Sequence, residues 1–213
     1  MVGVTATRPR RTQAERREET RRALLDATVE ALTELGYART TTLEVQKRSS
    51  LSRGALLHHF PSKAELIVEA VHYMAELRGA EIRRLAAELP EGGDRIDRVI
   101  DLLWESFSGP LFTVSLELRV AARTDPELRA PLADEERRLR REILSLAREL
   151  FGPETAAQPE FGSALELTLN LLIGAAMTSM LLPRHPHFAG LLGQSKKVFA
   201  SLVHPRDLTR VRA

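Results

Sequence analysis

GYARTTTLEVQKRSSLSRGALLHHFPSK, residues 36–63, is the stretch whose reading decides the fold. Thr41 to Glu44 spells T-x-x-E, a capping-box pattern, and predicts a short helix ending near Ser49. Ser52 caps a second short helix that ends near His59, and Pro61 closes it. Ser62 to Glu65 is another capping box and opens a long helix to about Leu89. Upstream, segment 12–35 carries Leu24 or Leu25, Thr28, Leu32 and Leu35 on one stripe at helical spacing, with Gly36 ending it. Two short helices joined by a tight turn, between a basic leading helix and a long following one, describe a helix-turn-helix unit. Val45, Leu51 and Leu56 are placed to hold the short helices against the first helix through Leu32.

The same helical logic extends outward. The chain of 213 residues has 34 leucines and 26 alanines against 12 valines and 6 isoleucines. Good helix formers therefore dominate, and the expected class is all-α with about nine helices. The long helix has an apolar stripe at Ile67, Ala70, Val71, Met74 and Leu77. Further helices are expected at 94–108, 110–123, 126–151, 160–182 and 187–203, with prolines between most of them. Residues 167–182 hold no charge. The run is shorter than the roughly 20 residues a bilayer requires and contains Thr168, Asn170, Thr178 and Ser179, so burial between the core and a second subunit is the expectation.

Cysteine is absent, which excludes disulfide frameworks and thiolate chemistry and suits a cytoplasmic location. The first residues have no apolar core of a secretory signal. The net charge is only +2, yet it is unevenly spread. Residues 1–63 hold twelve Lys and Arg against seven Asp and Glu, whereas residues 64–213 hold nineteen against twenty-two. A basic front on a mildly acidic body is the pattern of a chain whose front meets a polyanion.

Arg53, at the start of the second short helix, has the guanidinium that matches guanine O6 and N7. Gly54 and Ala55 are small enough for close approach to base edges, and Ser52 satisfies the opening amides. Thr41, Thr42, His58, His59 and Lys63 suit phosphate contacts, which orient without reading sequence. Arg8, Arg10 and Arg11 form an arm suited to the minor groove or to phosphate. His58 and His59 point about 100° apart on a helix and have no accompanying carboxylate or cysteine set, so no metal or other cofactor is implied.

From Arg16 to Leu66 the sequence resembles the DNA-binding segment of TetR/AcrR-family transcriptional regulators. The resemblance rests on Gly36, Tyr37, Thr40, Thr41, Val45, Leu51, Ser52, Gly54, Leu56, His59, Phe60 and Lys63. There are three departures from the family pattern. Gln46 replaces a small residue, and Ser50 replaces the turn glycine. Leu57 replaces a tyrosine that in the family touches the DNA backbone, so that contact is lost or passes to His58.

The resemblance implies a DNA-binding domain at 1–61 and a ligand-binding and dimerisation domain at 62–213. It implies a homodimeric repressor released from a palindromic double-stranded DNA operator by a small hydrophobic or amphipathic effector. The last two long helices would pair with their mates, which points to Leu165, Leu169, Leu172, Ala176 and Met180 as interface residues. A pocket between the long helix and those at 94–108, 110–123 and 160–182 would use Trp104, Phe107 and Phe112, with Tyr73, Glu117, Arg119, Asn170 and Met177 adding polar or adaptable contacts. The residues themselves leave open a ligand-independent regulator, an activator, or an all-α small-molecule carrier or enzyme. No nucleophile–base pair or phosphate loop supports the enzyme.

Overall fold

The computed structural model describes residues 12–88, 95–107, 109–182 and 187–203, and among these residues it has ten helices and no strand. Each helix of the reading unit begins on a side-chain cap. At α1 (Gln13–Arg39) the box is complete: Thr12 Oγ1 accepts from the Glu15 amide, and Glu15 accepts from the Thr12 amide. At α2 (Thr42–Ser49) only half the expected box forms. Thr41 accepts from the Glu44 amide at 3.2 Å, but the Glu44 carboxylate takes a hydrogen bond from Arg48. Ser52 caps α3 (Arg53–His59) and Ser62 caps α4 (Lys63–Ala87) in the same one-sided way.

Gly36 breaks the α1 helix as expected, at φ 75° and ψ 172°, and the chain turns helical again just after it, to Arg39. Ser50 does what the missing turn glycine would have done, adopting the left-handed region at φ 56° between α2 and α3.

The body comprises α5 (Arg95–Ser106), α6 (Pro110–Ala122), α7 (Pro126–Phe151), the single turn α8 (Pro153–Ala156), α9 (Phe161–Ser179) and α10 (His187–Val203). Proline stands at the first position of α6, α7 and α8, where its missing N–H costs nothing. Asp125 caps α7 by accepting from the Leu128 amide. The turn α8 is an element that apolar periodicity had no length to reveal.

Two apolar clusters organise the packing. The upper one joins Leu24, Leu25 and Leu32 of α1 to Val45, Leu56, the first half of α4, and Val114, Leu118 and Leu128. Val45 and Leu56 are fully buried there, as the sequence predicted, with Leu51 packed alongside. This cluster crosses the expected domain boundary, so the reading unit shares its core with the body. The lower cluster gathers the end of α4, α5, the end of α7, α9 and α10 around stacked Phe151 and Phe199, with ring centroids 4.5 Å apart. Helices α4 and α7 run through both clusters and pack on each other. Leu77, expected on the buried stripe of α4, is exposed.

Helix α9 is long and apolar enough to cross a membrane by length and composition. Here it packs Ala164, Leu165, Thr168, Leu172, Ala175 and Ala176 into the protein. That corrects the expectation for the subunit interface. Leu165, Leu172 and Ala176 lie in the chain's own core and are not presented outward, and Leu169 is half-buried. Met180 is exposed, and so are Leu167, Met177 and Leu181. The physical reason is that a helix apolar on most sides has no polar face to show which stripe points inward.

Candidate nucleic-acid interface and effector cavity

The capped N terminus of α3 points Arg53 into solvent, where it makes no ion pair among the described residues. A Cβ on Gly54 would have Ser52 Oγ, 3.8 Å away, as its neighbour, so the helix backbone there is open to close approach. Ala55 is half-buried, and Leu57 and His58 are exposed. His59 is half-buried; burial foremost, then the neighbouring His58, Arg17 and Arg21, hold its pKa below the ordinary histidine range. A neutral imidazole at this site is a hydrogen-bonding group more than a cation. Thr41 is exposed, and Thr42 at the start of α2 is half-buried.

Two cations of the unit also make contacts within the chain. Arg48 is clamped by Glu34 at 2.8 Å, Glu44 at 2.9 Å and Glu30 at 3.5 Å, which fastens α2 to α1. Lys63 lays its Nζ over the Tyr37 ring, 4.5 Å from the centroid, and burial lowers its pKa. The arm residues Arg8, Arg10 and Arg11 lie outside the described residues.

Tyr37 is the centre of a junction that the sequence did not disclose. Its amide donates to Glu117 Oε2 on α6 at 2.8 Å, and its hydroxyl donates to Asp125 Oδ2 at 3.0 Å. Burial, then the bond to Asp125, push the phenol up to about 12. Asp125 is held below the usual carboxylate range by the Leu128 amide and by Tyr37. Reading unit, long helix and body thus meet at four side chains: Tyr37, Lys63, Glu117 and Asp125. Glu117, expected to line the effector pocket, serves this junction instead. Tyr73, also expected in the pocket, faces α1 and donates to Asp26 at 2.8 Å. The one available signal was Gly36 followed by an aromatic, which marks a special backbone position without naming its partner.

A cavity of about 510 Å³ opens between α4, α5, α6, α7 and α9. Phe107 lines it, and the buried Phe112 supports Phe107 edge-on at 5.5 Å. Trp104 instead packs half-buried against the lower cluster. Asn170 lies in an adjoining groove of about 320 Å³, its amide donating to the Glu166 carbonyl. Arg119 lies in the same groove, paired bidentately with Glu136. Met177 is on the outer face of α9, 46% exposed, and is no part of the cavity wall. The wall residues that the sequence did not suggest include Glu76, Arg78, Arg83 and Glu142. Among the described residues no group of three or more His, Asp or Glu could hold a metal.

A capped recognition helix with an unpaired arginine, joined through one long helix to a helical body with a cavity, defines a helix-turn-helix transcriptional regulator. The relatives narrow the class further. Residues 24–70 match the family of bacterial regulatory proteins, tetR family. The uncharacterised HTH-type transcriptional regulator Rv2912c of Mycobacterium tuberculosis is 31% identical over 174 residues, spanning 82% of this chain and 89% of the relative. A transcriptional regulator from Rhodococcus sp. Rha1 shares the fold at a TM-score of 0.63 and 21% identity, over 87% of this chain and 96% of that one. A transcriptional regulator from Saccharomonospora viridis, solved in complex with choline, shares it at a TM-score of 0.60 and 19% identity, over 86% of this chain and 96% of that one. The chain belongs to the TetR family of DNA-binding transcriptional regulators and is not an enzyme.

Proposed function

We propose that this protein is a cytoplasmic homodimeric repressor that leaves a palindromic operator when a small hydrophobic or amphipathic effector fills the body. The observation that carries this reading is the position of α4. Its first residue rests on Tyr37 beside the reading unit, and its later residues wall the cavity. A ligand that displaces one end of this helix acts on the other. The choline-bound regulator from Saccharomonospora viridis supports a body that holds a small molecule. The functional division falls at 1–61 and 62–213, although the core is shared.

Arg53 reads a base edge, while Thr41, Thr42, His58, His59 and Lys63 address phosphates, with Leu57 filling a contact position by shape. The two-fold axis runs beside the outer faces of α9 and α10 and the turn that follows α9, where Leu167, Met177, Met180, Leu181 and Val198 are exposed. Coupling requires only that the effector prefer the conformation that fits the operator poorly.

Selection of bound duplexes from random DNA, followed by effector titration on the selected site, tests the whole reading. Arg53→Ala is expected to relax preference at one position per half-site. Lys63→Ala weakens binding to all sequences and lowers the salt slope by about one. A ligand that binds the cavity without changing operator affinity sinks the effector-release reading.

A further inference from the structure

The charged groups on the cavity wall are Glu76, Glu142, Arg78 and Arg83. Three of them have charged or ionisable partners. Arg83 Nε pairs with Glu149 at 3.1 Å. Glu142 accepts from Arg138 Nε at 3.1 Å. Glu76 lies 3.1 Å from His72 Nε2, which also meets Arg138 Nη2 at 2.7 Å. Arg78 is different. It is half-buried, and its Nη2 donates to the Ser106 hydroxyl at 3.3 Å, with no carboxylate partner among the described residues. Glu81, whose carboxylate feels the Arg78 charge, is held bidentately by Arg84. Ser106 and Arg78 stand together on the cavity wall, and the rest of that wall is mainly apolar, with Ile82, Leu103, Phe107, Leu111, Leu146 and Leu169.

A guanidinium has five N–H donors in a planar fork matched to a carboxylate, and only one of its bonds is used here. An apolar cavity whose guanidinium has no carboxylate partner favours a ligand that brings one negative charge on an apolar body. We infer that the effector is an amphipathic monoanion, a monocarboxylate whose carboxylate pairs with Arg78 and whose hydrocarbon part fills the space toward Phe107 and Leu169. This rests on the cavity being the effector site and adds the chemical class of the effector. The cavity volume lies within the range that holds such molecules.

The test is calorimetric titration of the purified full chain with octanoate, decanoate, dodecanoate and 2-naphthoate, each beside its primary amide and its primary amine. At least one acid is expected to bind tenfold or more tightly than its amide, and its amine more weakly still. Arg78→Gln is expected to abolish the acid-over-amide preference, and Arg83→Gln to leave it in place. Arg78→Lys, which keeps the charge, retains part of it and controls for a misfolded glutamine variant. An amide or amine that binds as well as its acid, a preference that survives Arg78→Gln, or failure of every probe to bind overturns the inference. The two readings separate on operator binding. Acids held by Arg78 that leave operator affinity unchanged defeat the effector-release reading alone, whereas an amine that binds and releases the operator defeats the monoanion alone.

Discussion

At position 36 the backbone sits at φ 75°, and a Cβ there would stand 2.9 Å from Glu117 Oε2. That oxygen is not free to swing away, because it accepts the Tyr37 amide. Gly36→Ala therefore incurs left-handed strain and crowds the Glu117 carboxylate that accepts the Tyr37 amide in an exposed hydrogen bond. Denaturant unfolding is expected to show a loss of about 1–3 kcal/mol. Unchanged stability counts against the junction. His72 and Glu135 pose a second residue-scale question inside the α4–α7 contact. His72 Nδ1 lies 3.0 Å from Glu135 Oε1, and both side chains are buried. Burial raises the Glu135 pKa above its ordinary 4.5, with His72 and Arg138 opposing. A carboxyl whose folded pKa is raised contributes stability below its unfolded pKa and loses it as pH rises through the folded one. Glu135→Gln keeps an acceptor for His72 and removes the titration. Its melting temperature is expected to gain on wild type as pH rises above the ordinary carboxylate range, and a gap that moves the other way refutes the assignment.

At the scale of elements, the turn of the helix-turn-helix was readable through the family resemblance. Ser50 stands where a glycine is expected, and it takes the left-handed conformation at φ 56°. Ser50→Gly is expected to stabilise the chain by up to about 1 kcal/mol, since relief of strain exceeds the extra backbone entropy of glycine. Thermal melts of the two proteins check the sign. The caps at Thr41, Ser52 and Ser62 were legible because they are local: one side chain serves an amide three residues on. What lay beyond reading depends on which elements meet. Glu117 and Tyr73 look like pocket residues beside apolar neighbours, yet their partners, Tyr37 and Asp26, are 80 and 47 residues away in sequence. Four of the five helices around the cavity were in the expectation and α7, which brings Glu142, was not; Glu76, Arg78 and Arg83 lie on α4 beside its apolar stripe, and which of its polar residues turn to the cavity depends on packing. Helix α9 shows the limit of periodicity. Leu165, Leu169, Leu172 and Ala176 make as regular a stripe as Leu167, Gly174 and Met177, and only packing decides which one turns inward.

For the whole molecule, the outward stripe of α9 has a consequence for assembly. Leu181 is 86% exposed, and Met177 and Met180 are exposed beside it. An exposed apolar surface of this kind is what the proposed pairing with a second copy on a two-fold operator would cover. Met177→Glu and Leu181→Glu place charges on that surface without entering the core, whereas Leu165→Glu buries one and unfolds the chain. Sedimentation of the two surface variants is expected to give a folded monomer. The basic front, residues 1–63, is unchanged in these variants, so a monomer still meets phosphate. It loses the second half-site, however, and with it the gain from binding two linked sites, about 10²–10⁴ in operator affinity. Leu77→Glu is the control, because Leu77 is exposed on α4 and lies outside the proposed interface. If Met177→Glu and Leu181→Glu remain dimers, the axis lies elsewhere on the body. If they are monomers that keep full operator affinity, reading of the operator does not depend on the two-fold pairing.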